Sequence, residues 1–128
     1  MYWHGGPDSS EACHDSIGMA APRRAFFLPD GQTGGGYETW TLIQNPNSTP
    51  VTVEITCMTP TGAGNVTKNE TIAANSRSTF ELGRHSGLTG RASTMVTSET
   101  SGKYIMVERA VYWNNRGAGT DTIGGFSD

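Results

Sequence analysis

Val51-Thr52-Val53-Glu54-Ile55-Thr56-Cys57-Met58 sets Val51, Val53, Ile55 and Cys57 on one side of the chain and Thr52, Glu54, Thr56 and Met58 on the other. A period of two held over a whole segment is that of a β-strand with one apolar and one wetted face. Upstream, Tyr37 to Gln44 also alternates, with Glu38, Trp40 and Leu42 on one face and Tyr37, Thr39, Thr41 and Ile43 on the other. It stops at Asn45-Pro46-Asn47-Ser48-Thr49-Pro50, because proline cannot donate to a ladder and asparagine tolerates turn geometry. Further upstream, Ala25 to Leu28 is a short apolar run closed by Pro29-Asp30-Gly31. Downstream, Val66 to Ile72 reads as a polar edge strand, and Ser78, Phe80 and Leu82 as an inward set interleaved with Thr79 and Glu81. Arg91 to Thr97 and Lys103 to Trp113 follow, parted by Ser98-Glu99-Thr100-Ser101-Gly102. About seven short strands with frequent turn signals and no helical stripe predict an all-β chain, an antiparallel two-sheet sandwich; a barrel or jelly roll shares the same signals.

Composition agrees. Gly, Thr, Ser and Asn supply 52 of the 128 residues, whereas Leu, Ile, Val and Phe together supply only 20. That scarcity suggests disorder, but the net charge is only −3, and 11 aromatic residues and five Met carry the apolar surface in a few large side chains. A threonine-rich, leucine-poor and lysine-poor chain favours β structure and suits an extracellular or cell-surface setting. Scattered basic residues on a slightly acidic chain give no electrostatic footprint for nucleic acid. No apolar run reaches the length of a membrane span, and Met1-Tyr2-Trp3-His4-Gly5-Gly6 has neither the basic nor the apolar region of a secretory signal.

The chain contains an internal echo. Tyr2-Trp3 recurs as Tyr112-Trp113 after 110 residues, and Asp15-Ser16-Ile17-Gly18 recurs as Asp121-Thr122-Ile123-Gly124 after 106. Such self-similarity predicts a tandem relationship, in which residues 1–22 are the tail of a preceding repeat and residues 23–128 hold one sandwich repeat domain. The alternative is that residues 1–22 form an irregular N-terminal arm. On the tandem reading Tyr2, Trp3, Tyr112, Trp113, Asp121 and Ile123 are the candidates for contacts between repeats.

Several residues bear on chemistry. Arg109 shares parity with Ile105, Val107 and Val111, and a buried guanidinium needs a partner; Glu38 is the first candidate, Glu108 faces away, and a bulge that turns Arg109 to solvent is the competing reading. Cys13 and Cys57 are the only cysteines and form a candidate disulfide that would close a loop of about 43 residues, against which Cys57 sits on the apolar face of its strand like a small core side chain. His4, Cys13, His14 and Asp15 match no structural zinc spacing, so no metal is expected. His85 is the one histidine after residue 22, no serine carries a nucleophile elbow, and no catalytic residue or cofactor is expected. Gly34-Gly35-Gly36 and Gly62-Ala63-Gly64 lack the lysine of a phosphate loop and read as turns. Trp113, Asn114, Asn115 and Arg116 could offer a ring face and amide donors to a sugar, although turn chemistry explains the asparagines equally well.

Phe27-Leu28-Pro29-Asp30-Gly31, Gly36-Tyr37-Glu38-Thr39-Trp40, Leu42-Ile43-Gln44-Asn45-Pro46-Asn47, Ala74-Asn75-Ser76-Arg77 and Glu108 to Arg116 with Asp121-Thr122-Ile123-Gly124 resemble, as a set, uncharacterised tandem immunoglobulin-like β-sandwich repeats of secreted or surface-attached bacterial proteins. The chain departs from them in the long loop from His4 to His14 and at Cys57. The resemblance implies a non-enzymatic structural or adhesion module of a surface protein or fibre. Its partners would be neighbouring copies or other subunits. The alternative is a carbohydrate-binding module that anchors a secreted enzyme to a polysaccharide, which requires solvent-facing rings at Tyr37, Trp113 or Tyr2.

Overall fold

The computed structural model describes residues 2–6 and 9–128, with side chains from Asp15 onward. The elements in chain order are β1 (Tyr2–Gly6), β2 (Ser9–His14), β3 (Ala25–Leu28), β4 (Gln32–Thr33), β5 (Glu38–Asn45), β6 (Val51–Met58), β7 (Val66–Ile72), β8 (Ser76–Glu81), α1 (Leu82–Ser86), β9 (Gly90–Arg91), β10 (Ser93–Ser98), β11 (Met106–Trp113), β12 (Ala118–Ile123) and β13 (Gly125–Ser127). A five-stranded antiparallel sheet, β13-β3-β10-β6-β7, faces a four-stranded one, β12-β11-β5-β8. The fold is therefore the expected all-β sandwich, and the seven anticipated strands are β3, β5, β6, β7, β8, β10 and β11. Sequence reasoning missed β12, whose Ala-Gly-Thr-Asp-Thr start has no apolar alternation, and the hairpin in which Tyr2 pairs with His14 and Trp3 with Cys13.

The core lies between the sheets. Val51, Val53, Ile55 and Cys57 of β6 all point into it, as their spacing requires, and meet Val96 of β10, Ile43 of β5 and Val107 of β11. On β5 the face is the reverse of the one a hydrophobicity count selects: Thr39, Thr41, Ile43 and Asn45 are buried, while Glu38, Trp40 and Leu42 look outward. Threonine is tolerated inside because its hydroxyl is satisfied locally. Thr39 Oγ1 donates to the Gln32 carbonyl and accepts from the Gln32 amide, each at 2.8 Å, and Thr33 Oγ1 donates to the Leu88 carbonyl at 2.9 Å. The two Thr39 bonds fix β4 against β5, and the Thr33 bond ties β4 to the loop after Ser86.

Asn45 is fully buried at the end of β5. Its Nδ2 donates to the carbonyls of Thr49 (2.9 Å), Ile72 (3.1 Å) and Ala73 (3.0 Å), and its Oδ1 accepts from the backbone and side-chain nitrogens of Asn47 at 2.9 and 2.8 Å. Asn47 in turn donates from Nδ2 to the Tyr104 carbonyl at 2.8 Å and accepts from the Asn75 amide at 2.9 Å. One carboxamide thus joins the end of a strand in the four-stranded sheet to the end of β7 in the other.

Helix α1 closes the side of the sandwich. Glu81 caps its start, accepting from the amides of Gly83 (3.0 Å) and Arg84 (2.8 Å), and Gly87, at φ 78°, caps its end. The helix is needed because the inward positions of edge strand β7 include Lys68 and Glu70, opposite Ile55 and Val53. His85 answers both: its Nε2 lies 2.9 Å from Glu70 Oε1, and its carbonyl accepts from Lys68 Nζ.

The disulfide expectation fails at Cys57. Its thiol is free, faces the core and is 2% exposed, and burial pushes its pKa up; the Cys13 side chain lies outside those described. Alkylation by iodoacetamide, followed by mass spectrometry, is therefore expected to spare Cys57 in native buffer and to modify it fully in denaturant; rapid native modification would contradict this burial. Asn45→Ala is expected to destabilise the fold by about 2 kcal/mol in urea denaturation, because it removes three bonds to backbone carbonyls, that of buried Ile72 among them, and leaves a gap at a fully buried position.

Candidate functional site

The outward positions of the four-stranded sheet are not a wetted face. Register places Trp40 opposite Ala110, Leu42 opposite Glu108 and Gln44 opposite Met106, with Ile123 of β12 on the other side of Glu108. These side chains are half-buried or buried, apart from exposed Gln44. Met19, from the segment that follows β2, leans over them, and with Leu42, Met106 and Ile123 it walls a cleft of about 190 Å³ rimmed by Gln44, Arg77 and Glu108.

Glu108 sits in the middle of this face. Asp121 lies diagonally across the β11–β12 ladder from it, opposite Ala110, so both carboxyls project from the same side. Partial burial raises the Glu108 pKa, and hydrogen bonding and repulsion from Asp121 raise it further; Ser16 works weakly in the other direction, its Oγ donating to Glu108 Oε1 at 3.4 Å. The parity that removes Glu108 from any core ion pair also assigns it to the outer face. Its meeting with Asp121 could not be read without β12.

At one end of the same sheet an ionic and aromatic cluster forms. Arg116 Nε and Nη2 both donate to Glu38 Oε2, at 3.0 and 2.7 Å, and Trp40 Nε1 donates to the same oxygen at 3.2 Å. The Arg116 guanidinium lies 5.8 Å from the centre of the Trp40 ring. Arg116 holds the Glu38 pKa below its ordinary value. Arg116 reaches this place from the β11–β12 turn, where Asn114, Asn115 and Arg116 have φ of 54°, 53° and 62° and the Gly117 amide donates to the Asn114 carbonyl at 2.8 Å. Positive φ at both central residues, Asn115 and Arg116, is the geometry that matches the twist of a hairpin. Beside the turn, the Tyr37 and Trp113 rings stack with centroids 6.1 Å apart and 27° between planes.

The expected pair of Glu38 with Arg109 is thus corrected. Arg109 stands opposite Thr41, on the inner face, whereas Glu38 stands opposite Tyr112, on the outer face, so the two project from opposite sides of one sheet. Arg109 instead donates from Nη1 to the Asp30 carbonyl, and its buried Nε has no partner among the described residues. Of the sugar candidates, Trp113 is half-buried and spent partly on Tyr37, while Asn114, Asn115 and Arg116 are exposed.

The two copies of the Asp-Ser/Thr-Ile-Gly motif have different surroundings. Ile123 packs against the core, and a Cβ on Gly124 would come within 2.4 Å of the Phe27 carbonyl oxygen, so the glycine permits the crossing from β12 to β13. Ile17 is 89% exposed, and nothing lies within 4 Å of a Cβ placed on Gly18. Tyr2 and Trp3 lie outside the described side chains, while Tyr112, Trp113, Asp121 and Ile123 all fall on the hairpin β11–β12. His85 is engaged by Glu70 and by the edge of Phe80, 5.0 Å between ring centres, and Ser86 Oγ donates to the Leu82 carbonyl at 2.6 Å. Among the described residues no group of three or more His, Cys, Asp or Glu side chains is placed to hold a metal ion.

No family model matches the chain, and no curated protein sequence matches it. Solved structures do. A Thermotoga maritima protein, 1070, superposes with a TM-score of 0.70 at 16% identity, over 83% of this chain and 96% of its own. The Anabaena sensory rhodopsin transducer superposes with a TM-score of 0.56 at 17% identity, over 70% of this chain and 83% of its own. At these identities the likeness establishes a shared β fold.

The turn makes a specific prediction. Arg116→Val, a β-branched residue at positive φ, is expected to destabilise the chain by about 1–2 kcal/mol, whereas Arg116→Gly is expected to stay within about 0.5 kcal/mol of the parent, since strain relief offsets a solvent-screened ion pair. Thermal denaturation of both variants checks it; equal losses would contradict the turn geometry.

Proposed function

We propose that this chain is a non-enzymatic interaction module that associates with further copies of itself through the β11–β12 side of the four-stranded sheet and the segment that precedes β3. The observation that carries the reading is Ile17, 89% exposed in a motif whose second copy seats its isoleucine on the core. Around it lies continuous apolar surface: one cleft is walled by Met19, Leu42, Met106 and Ile123, and a second, of about 300 Å³, by Ile17, Met19, Ala20 and Phe126. A protruding apolar residue beside an apolar recess suits a heterologous, head-to-tail contact, in which each subunit's isoleucine fills the recess of the next. The internal echo fits an array or fibre built from such contacts, and the threonine-rich, lysine-poor composition makes an extracellular or cell-surface setting part of the same proposal. Among the described residues no helix is long and apolar enough to cross a membrane.

A second reading, a carbohydrate-binding role, is favoured by the stacked Tyr37 and Trp113 rings with exposed Asn114 and Asn115 beside them. Polysaccharide pull-down with Trp113→Ala as the control tests that reading.

Light scattering coupled to size exclusion tests the first. The expected mass is a multiple of 13.6 kDa, falling toward 13.6 kDa in Ile17→Asp. A wild-type chain that stays monomeric at concentrations of about 100 μM, roughly −5.5 kcal/mol of association, would overturn it.

A further inference from the structure

We infer that the cleft walled by Met19, Leu42, Met106 and Ile123 receives the Asp15-Ser16-Ile17 segment of the next copy, and that Arg77 on its rim takes the Asp15 carboxylate of that segment. The pairing rests on the self-association proposed above, to which it adds a docking segment and a direction. Ile17 by itself suits either apolar cleft. The second cleft, however, is walled by Ile17 and so belongs to the surface that donates the segment; its cation, Arg23, already has Nη1 3.3 Å from Asp128 Oδ1 and lies 5.3 Å from the centre of the Phe126 ring. That leaves the first cleft as the acceptor. Its volume of about 190 Å³ exceeds the roughly 150 Å³ that accommodates a benzene-sized group, so an isoleucine side chain enters it whole.

Charge then sets the direction in which the segment lies. Of the rim residues Gln44, Arg77 and Glu108, only Arg77 is cationic. It is exposed, stands opposite Gln44 on the outer face of β8, and is engaged by no hydrogen bond or ion pair among the described residues. Two other guanidiniums already meet outward carboxylates of this sheet, Arg116 at 2.7 Å from Glu38 and Arg84 at 3.7 Å from Glu81. Asp15 is also exposed and unengaged among the described residues, two positions before Ile17. Two residues of extended chain span about 7 Å, a distance that an arginine side chain covers from the cleft rim. A segment seated by Ile17 therefore finds an open cation where its Asp15 points toward β8. Complementary charge of this kind fixes register more than it adds affinity.

General repulsion between chains of formal charge −3 makes the opposite forecast for one variant. Asp15→Lys makes each chain two charges less negative, which by itself favours association. The pairing predicts weakening, because the substitution sets two cations against each other.

Sedimentation velocity on the intact chain and its folded variants, alone and mixed, tests the pairing. Arg77→Glu and Asp15→Lys are each expected to weaken self-association about tenfold, and an equimolar mixture of the two is expected to return to within about threefold of the wild type, since each variant presents the charge that the other now lacks. A double-mutant cycle with the milder Arg77→Gln and Asp15→Asn gives a second reading: each is expected to weaken association about threefold, and both together no more than either alone. Single variants as tight as the wild type, a mixture that stays apart, or additive losses in the cycle overturn the pairing. If Ile17→Asp still dissociates the chain beside any of those results, self-association stands without the pairing; a monomeric wild type overturns both.

Discussion

Everything in this sandwich depends on how its two sheets are fastened where the core gives out. Between the sheets, aliphatic side chains suffice; after β5 the chain must turn, and the backbone carbonyls of Thr49, Ile72 and Ala73 converge there on one side chain. Asn45 is that side chain, and a carboxamide carries two donors and an acceptor in a plane. Asn45 itself is fully buried, so without it the buried Ile72 carbonyl loses a donor that water cannot replace. The same bonds draw in Asn47, and through it Tyr104 and Asn75, so three separate connections meet at one corner. The strands can then be short and threonine-rich, because their ends are pinned by polar bonds.

A consequence of that economy is the unusual division of labour in the four-stranded sheet. Its inner face spends threonines, with the Thr39 hydroxyl bonded to the Gln32 backbone, and its outer face keeps Trp40, Leu42, Met106 and Ile123. An outer face built this way resembles an interior waiting for a neighbour. The chain covers part of it with Met19 and with Arg116, which lies against Trp40, and leaves clefts between. Glu108 and Asp121 sit in the middle of this surface.

Much of the fold is legible in the residues alone. β6 declares itself by strict alternation, and turn residues mark most strand ends. What alternation does not settle is which face of β5 is inward, because Trp40 and Leu42 outweigh Thr39 and Thr41 on any hydrophobic count; only the partners of the threonine hydroxyls decide it. That single reversal separates Glu38 from Arg109. β12 escapes notice because its strand is held by pairing to β11 and by Gly124 against Phe27, neither of which leaves a periodic signal. Asn45 reads as turn chemistry, which is half of its role; the other half lies in carbonyls 27 and 28 residues away. The outer-face site was legible in part, since parity placed Glu108 there, but its meeting with Asp121 and Ile123 depends on β12.

The most direct test of the keystone is the exchange of the Asn45 side-chain amide protons, followed by NMR in the intact chain. The account predicts that they exchange on the timescale of the β6 backbone amides, far more slowly than those of exposed Asn69. Exchange as fast as that of Asn69 would show that the carboxamide is not fastening the sheets, and would contradict the account at its base.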